Sequence, residues 1–179
     1  MGLARGCISG YSSRVIPMEL VAIRMEVPAN TPVMILRETE GRRRVLPIYI
    51  GSSEAAAIHY ALEGIVAPRP LTHDLFQNVL GDLGASLAHV IVTEIRDETY
   101  FAELHLDVRG EAHTVSSRPS DAVALAVRTH SPIFASAAVL DAAGTEAVVE
   151  IEAESDDSDS LVAEFMDFID QVSPEDFAG

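Results

Sequence analysis

From Met18 to Val27 (MELVAIRMEV) apolar and polar side chains alternate, and this constrains the fold more than any other feature of the chain. A period of two puts all the apolar side chains on one face of an extended strand. Short extended patterns return at Val33–Glu38 and at Arg44–Ile50, after turns at Asn30-Thr31-Pro32 and Glu40-Gly41. Pro47 points to a sheet edge or a bulge, because proline offers the ladder no N–H. Three short strands joined by tight turns predict an antiparallel meander.

The period then changes. Gly51 closes the third strand, and Ser52 or Ser53 caps a helix running to about Glu63, with Ala55, Ile58, Ala61 and Leu62 on one face. Gly64 stops it, and Ala67-Pro68-Arg69-Pro70 forms a rigid connector. Thr72 caps a second helix from His73 to about Leu83, whose apolar residues are Leu75, Phe76, Val79, Leu80 and Leu83. Strands are expected at Leu87–Ile95 and Thr99–Val108, with Asp97-Glu98 at the hairpin turn, and a shorter one at His113–Ser116. Pro119 suits the first turn of a third helix, Ser120–Arg128, which is apolar nearly all round and should be deeply buried. Pro132–Ala135 closes the series as a last strand. The fold class is therefore α+β: a mostly antiparallel sheet of short strands packed with about three helices, plus a C-terminal amphipathic helix.

Charge divides the chain. Residues 1–128 hold all 12 Arg and 15 acids, whereas residues 129–179 hold 13 acids and no base, and Lys is absent. The first part is nearly neutral and the second is an acidic appendage. Neither has the basic excess of a protein that grips nucleic acid through phosphates. At 179 residues and 48% apolar composition, one domain with a tail is expected. The divisions are a loose leader at 1–17, a domain at 18–140, an acidic linker at 141–160 and an amphipathic helix with tail at 161–179. No apolar run approaches the roughly 20 residues of a membrane span, and the N-terminus lacks the apolar core of a secretory signal. A single cysteine, Cys7, allows no internal disulfide and no Cys-x-x-Cys zinc site, which fits a reducing cytoplasm.

Three polar clusters sit in apolar surroundings. Gly-Ser-Ser-Glu at 51–54 opens the first helix and puts Glu54 in its first turn, where the helix dipole favours a carboxylate. His59 and Glu63, four apart on that helix, suit a solvated pair. Arg69-Pro70-Leu71-Thr72-His73-Asp74 combines a titratable base, a possible metal ligand and a phosphate clamp, or else is a capped helix start. Ser117-Arg118-Pro119-Ser120-Asp121 places Arg118 and Asp121 three apart, on a face shared with Leu125 and Arg128. Such charges at the mouth of an apolar helix are costly unless paired or used. Phosphodiester cleavage would need carboxylates to hold Mg²⁺ or Mn²⁺ and a group that neutralises developing charge. Glu54, Asp74 and Asp121 with Arg69 or Arg118 could supply these if the fold gathers them.

The stretches LPIYIGSSEAAAIHYALEG, RPLTHDL and SRPSDAVALAVR, in this order, resemble the bifunctional nuclease domain, formerly a domain of unknown function. The likeness spans roughly Met18 to Leu140, and the tail ending VSPEDF resembles the acidic extensions of actinobacterial members. The resemblance implies an oligomeric α+β domain and a nuclease acting on RNA or DNA, as its plant members do on both. It marks Glu54, His73, Asp74 and Asp121 as catalytic positions, Arg69 and Arg118 as substrate-binding, and Glu54, Asp74 and Asp121 as ligands of a divalent metal. The competing expectation is a non-enzymatic oligomeric or regulatory module. The nuclease reading requires at least two of Glu54, Asp74 and Asp121 to reach one ion. Because the strands leave edges to be managed, a homodimer is expected. The apolar stripe of Leu161–Gln171 needs a partner, since so short a helix is marginal alone.

Overall fold

The computed structural model describes residues 14–146. Strands β1 (Val15–Glu26), β2 (Thr31–Glu38) and β3 (Val45–Tyr49) form the expected meander. Helices α1 (Ser52–Leu62) and α2 (Thr72–Asp82) follow, then β4 (Ala85–Arg96), β5 (Thr99–Val108) and β6 (Glu111–Ser117). The described chain ends with α3 (Pro119–Thr129), β7 (Ile133–Ser136) and α4 (Ala137–Ala143). One sheet holds all seven strands in the order β3-β2-β1-β7-β4-β5-β6. Every pairing is antiparallel except β4 with β7. β7, fed by the α3 crossover, thus joins two antiparallel meanders into one sheet.

Turn chemistry explains the second meander. Asp97 and Glu98 between β4 and β5 both have positive φ, 47° and 61°, as do Arg109 and Gly110 between β5 and β6, at 55° and 89°. Two-residue loops of this hand match the twist of their flanking strands. Pro47 lies in β3, at the sheet edge, opposite Ile35. The outer side of β3 is partly covered by its own chain, through reciprocal backbone hydrogen bonds between Val45 and Thr145 of 2.8 and 2.9 Å.

The helices cover one face of the sheet. Met34, Leu36, Leu46, Ile48, Val92 and Ala135 meet Ile58 of α1, Val123 and Ala124 of α3, and Val139 and Leu140 of α4. A second cluster joins Leu87, Val90, Leu104 and Leu106 to Ala122, Leu125 and Ala126 of α3. Helix α3 touches both clusters and is buried along most of its length, as its all-round apolar sequence predicts.

Several local expectations need correction. β1 starts at Val15, inside the segment expected to be a loose leader. The caps of α1 and α2 are Gly51 and Leu71, not Ser52, Ser53 or Thr72. Helix α4 and the Thr145 bridge occupy 137–145, so ordered structure continues past Asp141 into the expected linker. Arg44, expected to open the third strand, precedes β3 and is buried. Its guanidinium donates to Glu38 Oε1 at 2.8 Å and Asp141 Oδ1 at 2.7 Å, and its backbone N–H to Glu38 Oε2 at 2.9 Å. The rest of the expected leader, most of the acidic linker and the amphipathic helix lie outside the described residues. Among the described residues no helix is long and apolar enough to cross a membrane.

Candidate active site

Three motifs far apart in sequence meet because each opens a helix and the helices pack together on one sheet face. In α1 the turn after Gly51 places Glu54 in the first turn; in α2 the turn after Leu71 places His73 and Asp74 there. In α3 Arg118 is the N-cap, Pro119 supplies a preset φ, and Asp121 lies in the first turn. Each N-terminus carries unpaired N–H groups and the positive end of a helix dipole.

Arg118 is the hub. Its Nε donates to Asp121 Oδ2 at 2.8 Å and its Nη2 to Asp121 Oδ1 at 3.1 Å, a two-pronged contact. Its Nη1 lies 2.9 Å from Glu54 Oε1. His73 Nε2 stands 3.3 Å from Asp121 Oδ1. With Nε2 protonated and donating to Asp121, Nδ1 carries the basic lone pair. A guanidinium has five N–H donors, so these contacts leave one N–H on each of Nη1 and Nη2. The Arg118 side chain is 66% exposed, whereas those of Glu54 and His73 are 16% and 15% exposed. The cluster is thus a half-buried base and a guanidinium with two donors toward solvent, both held by carboxylates.

Asp74 faces the other way. Its Oδ1 accepts from Arg128 Nε at 2.6 Å, and its Oδ2 accepts from the backbone N–H of Leu71 at 3.0 Å. Arg128 also donates to the Ala124 carbonyl at 2.9 Å, which fixes its guanidinium along α3. Arg128 thereby ties the first turn of α2 to α3 and sets His73 beside Asp121. Sequence reasoning missed this role, although Arg128 lies seven residues from Asp121 on the same helix face. It also missed Gly51: a Cβ there would collide with the Glu54 carboxylate.

The carboxylates are held ionised. Burial raises Glu54, but its own backbone N–H, the Ser53 hydroxyl and Arg118 outweigh it and bring the group below its ordinary value. Burial likewise raises Asp121, and hydrogen bonds from Arg118 and His73, with their charges, overcome it. Asp74 is lowered chiefly by its hydrogen bond from Arg128, against some burial.

Of the expected residues, Glu54, His73, Arg118 and Asp121 come together directly, and Asp74 joins them through Arg128. Arg69 lies exposed in the α1–α2 connector and makes no ion pair among the described residues. His59 and Glu63 likewise form no ion pair with each other. Glu54 and Asp121 converge on the Arg118 guanidinium, while Asp74 is engaged by Arg128. Among the described residues no three His, Cys, Asp or Glu side chains are grouped to hold one metal ion. Of the three expected ligands, Glu54 and Asp121 thus meet at one guanidinium, whereas Asp74 is turned to Arg128.

A two-layer α+β domain with an acid-held arginine and histidine at converging helix N-termini is a scaffold suited to an anionic substrate. The bifunctional nuclease domain model matches residues 34–148, most of the described chain. The chain belongs to the bifunctional nuclease domain family. It is 43% identical over 162 residues to an uncharacterized protein of Mycobacterium tuberculosis, covering 89% of this chain and 96% of that one. It is also 31% identical to bifunctional nuclease 1 of Arabidopsis thaliana and 30% identical to bifunctional nuclease 2 of Oryza sativa subsp. japonica. Each of these matches covers 59% of this chain and 33% of the plant protein. The chain therefore corresponds to about a third of those plant relatives.

Proposed function

We propose that the protein is a nuclease that hydrolyses phosphodiester bonds of RNA or DNA at the Glu54–Arg118–Asp121–His73 cluster. The observation that carries this reading is the Arg118 guanidinium, fixed by two carboxylates while keeping one N–H on each Nη for a phosphate oxygen. Such a fork suits a phosphodiester geometrically and offsets charge that develops during displacement. His73, oriented by Asp121, is the general base for water or a ribose hydroxyl and then the acid for the leaving oxygen. Glu54 holds the guanidinium from the other side. Arg69, exposed beside the α2 entrance, is a further contact for the nucleic-acid backbone. Single-cysteine usage supports a cytoplasmic setting.

A non-enzymatic oligomeric or regulatory role is the second reading, and electrostatics favours it. With His73 neutral, Glu54, Asp74 and Asp121 against Arg118 and Arg128 leave the cluster at −1, a weak attractor for a polyanion. The two readings separate in one assay: cleavage of labelled RNA and DNA by purified wild type and Asp121→Ala, each with Mg²⁺ or Mn²⁺ and with EDTA. The nuclease reading requires cleavage by wild type and a large loss in Asp121→Ala. Equal cleavage by the two proteins, or none by either, supports the second reading. The EDTA arm decides whether a divalent ion takes part.

A further inference from the structure

Helix α2 is amphipathic in the unusual sense. The side it turns to its own domain carries His73, Asp74 and Gln77 with Leu80, and the first two are tied to Asp121 and Arg128 of α3. The side it turns outward is apolar. Leu75 is 55% exposed, Phe76 42%, Val79 45% and Leu83 59%, with Leu71 beside them at the N-cap; no residue of the helix is fully buried. A helix normally buries its apolar stripe and solvates its polar one. Here the polar side is consumed by ion pairs within the domain and the apolar side is left over.

We propose that this outward face of α2 is an interface at which two copies of the chain pair about a twofold axis, helix against helix and antiparallel. Size favours a second copy. Taking roughly 150–250 Å² for each large apolar residue, the five exposures amount to about 500 Å² of apolar surface. A standard interface of about 800 Å² per partner, a little under two-thirds apolar, needs about the same. Symmetry favours it too, because a twofold axis needs one self-complementary patch. With the axis through the middle of the stripe, Leu71 falls opposite Leu83 of the other copy and Leu75 opposite its Val79. The acidic end of the helix, at Asp82, then approaches the first turn of the other α2, where Arg69 stands nearby in sequence. The antiparallel helix dipoles add to this match.

The test uses the full chain. Sedimentation equilibrium at tens of micromolar should give wild type a mass twice the 19.2 kDa of the chain. A Leu75→Glu, Val79→Glu variant alters only outward side chains, so it should keep the wild-type circular dichroism while the dimer dissociation constant rises at least about 30-fold. Phe76→Cys, closest to the axis, in a Cys7→Ser background, should give a covalent dimer under mild oxidation. Ala112→Cys, on the exposed edge strand β6, should not. A monomeric wild type, an unchanged dimer in the glutamate variant, or cross-linking of Ala112→Cys in place of Phe76→Cys would overturn the proposal.

Discussion

Arg128→Met should loosen α2 without loosening the sheet. Wild-type Arg128 is almost fully buried and donates to Asp74 at 2.6 Å. A hydrogen bond to a charged group contributes about 1.5–3 kcal/mol. The Asp74 side chain is 37% exposed, so solvent screening brings the expected loss to about 1–2 kcal/mol. Among the described residues little else anchors the helix: of its side chains Leu80 packs against the core and His73 adds a second tie. The loss should therefore fall on local opening. Native-state hydrogen exchange should show the amides from Leu75 to Leu83 exchanging about 5- to 30-fold faster, with those of β4 and β5 unchanged. Methionine keeps the apolar stem and most of the volume, so the change removes the guanidinium's hydrogen bonds to Asp74 and to the Ala124 carbonyl, of which the latter lies within α3. Uniform acceleration across the domain, or none in α2, would refute the claim that this pair is what docks the helix.

Other outcomes follow from the same geometry. Gly51→Ala should push the Glu54 carboxylate off Arg118, lowering nuclease rate about tenfold and stability by about 1 kcal/mol, measured by denaturant titration beside the cleavage assay. Glu38 is held below its ordinary 4.5, burial being outweighed by Arg44. Its contribution is therefore present above that value and lost as pH falls through the lower folded one. Glu38→Gln should cost about 3 kcal/mol near neutrality, and its deficit against wild type should shrink in thermal melts as pH falls below about 4.5. Removing residues 141–179, which also cuts the last turn of α4, should destabilise the chain by at least about 2 kcal/mol more than removing 148–179. Only the longer truncation severs Arg44–Asp141 and the Val45–Thr145 bridge.

Local pattern reveals element type well and leaves direction and long-range partners hidden. The strands were legible because alternation and turn residues are local, and α3 because an all-round apolar helix has no solvated face to offer. α2 was legible as a helix, but periodicity does not say which side faces the domain; that was decided by ion pairs to Asp121 and Arg128, 48 and 54 residues away. Arg44 reads only as the start of the third strand; its burial was not legible, since its partner Asp141 lies 97 residues on. The parallel pairing of the four-residue β7 carries no pattern of its own. In the site, the residue types and their place at helix starts were readable. The choice of Arg118 as the common partner of Glu54 and Asp121 was not, because it depends on how α1 and α3 pack.

The central claim, that Arg118 presents a held guanidinium to a phosphodiester, is tested most directly by single-turnover cleavage of a labelled oligonucleotide by Arg118→Gln. Glutamine can still hydrogen-bond Asp121 but has neither the charge nor the pair of outward N–H groups. The account predicts a rate about 10²- to 10³-fold below wild type, with the fold intact by circular dichroism. A rate within about threefold of wild type would contradict it, since a loss of only about 0.7 kcal/mol is too small for a group that stabilises the transition state.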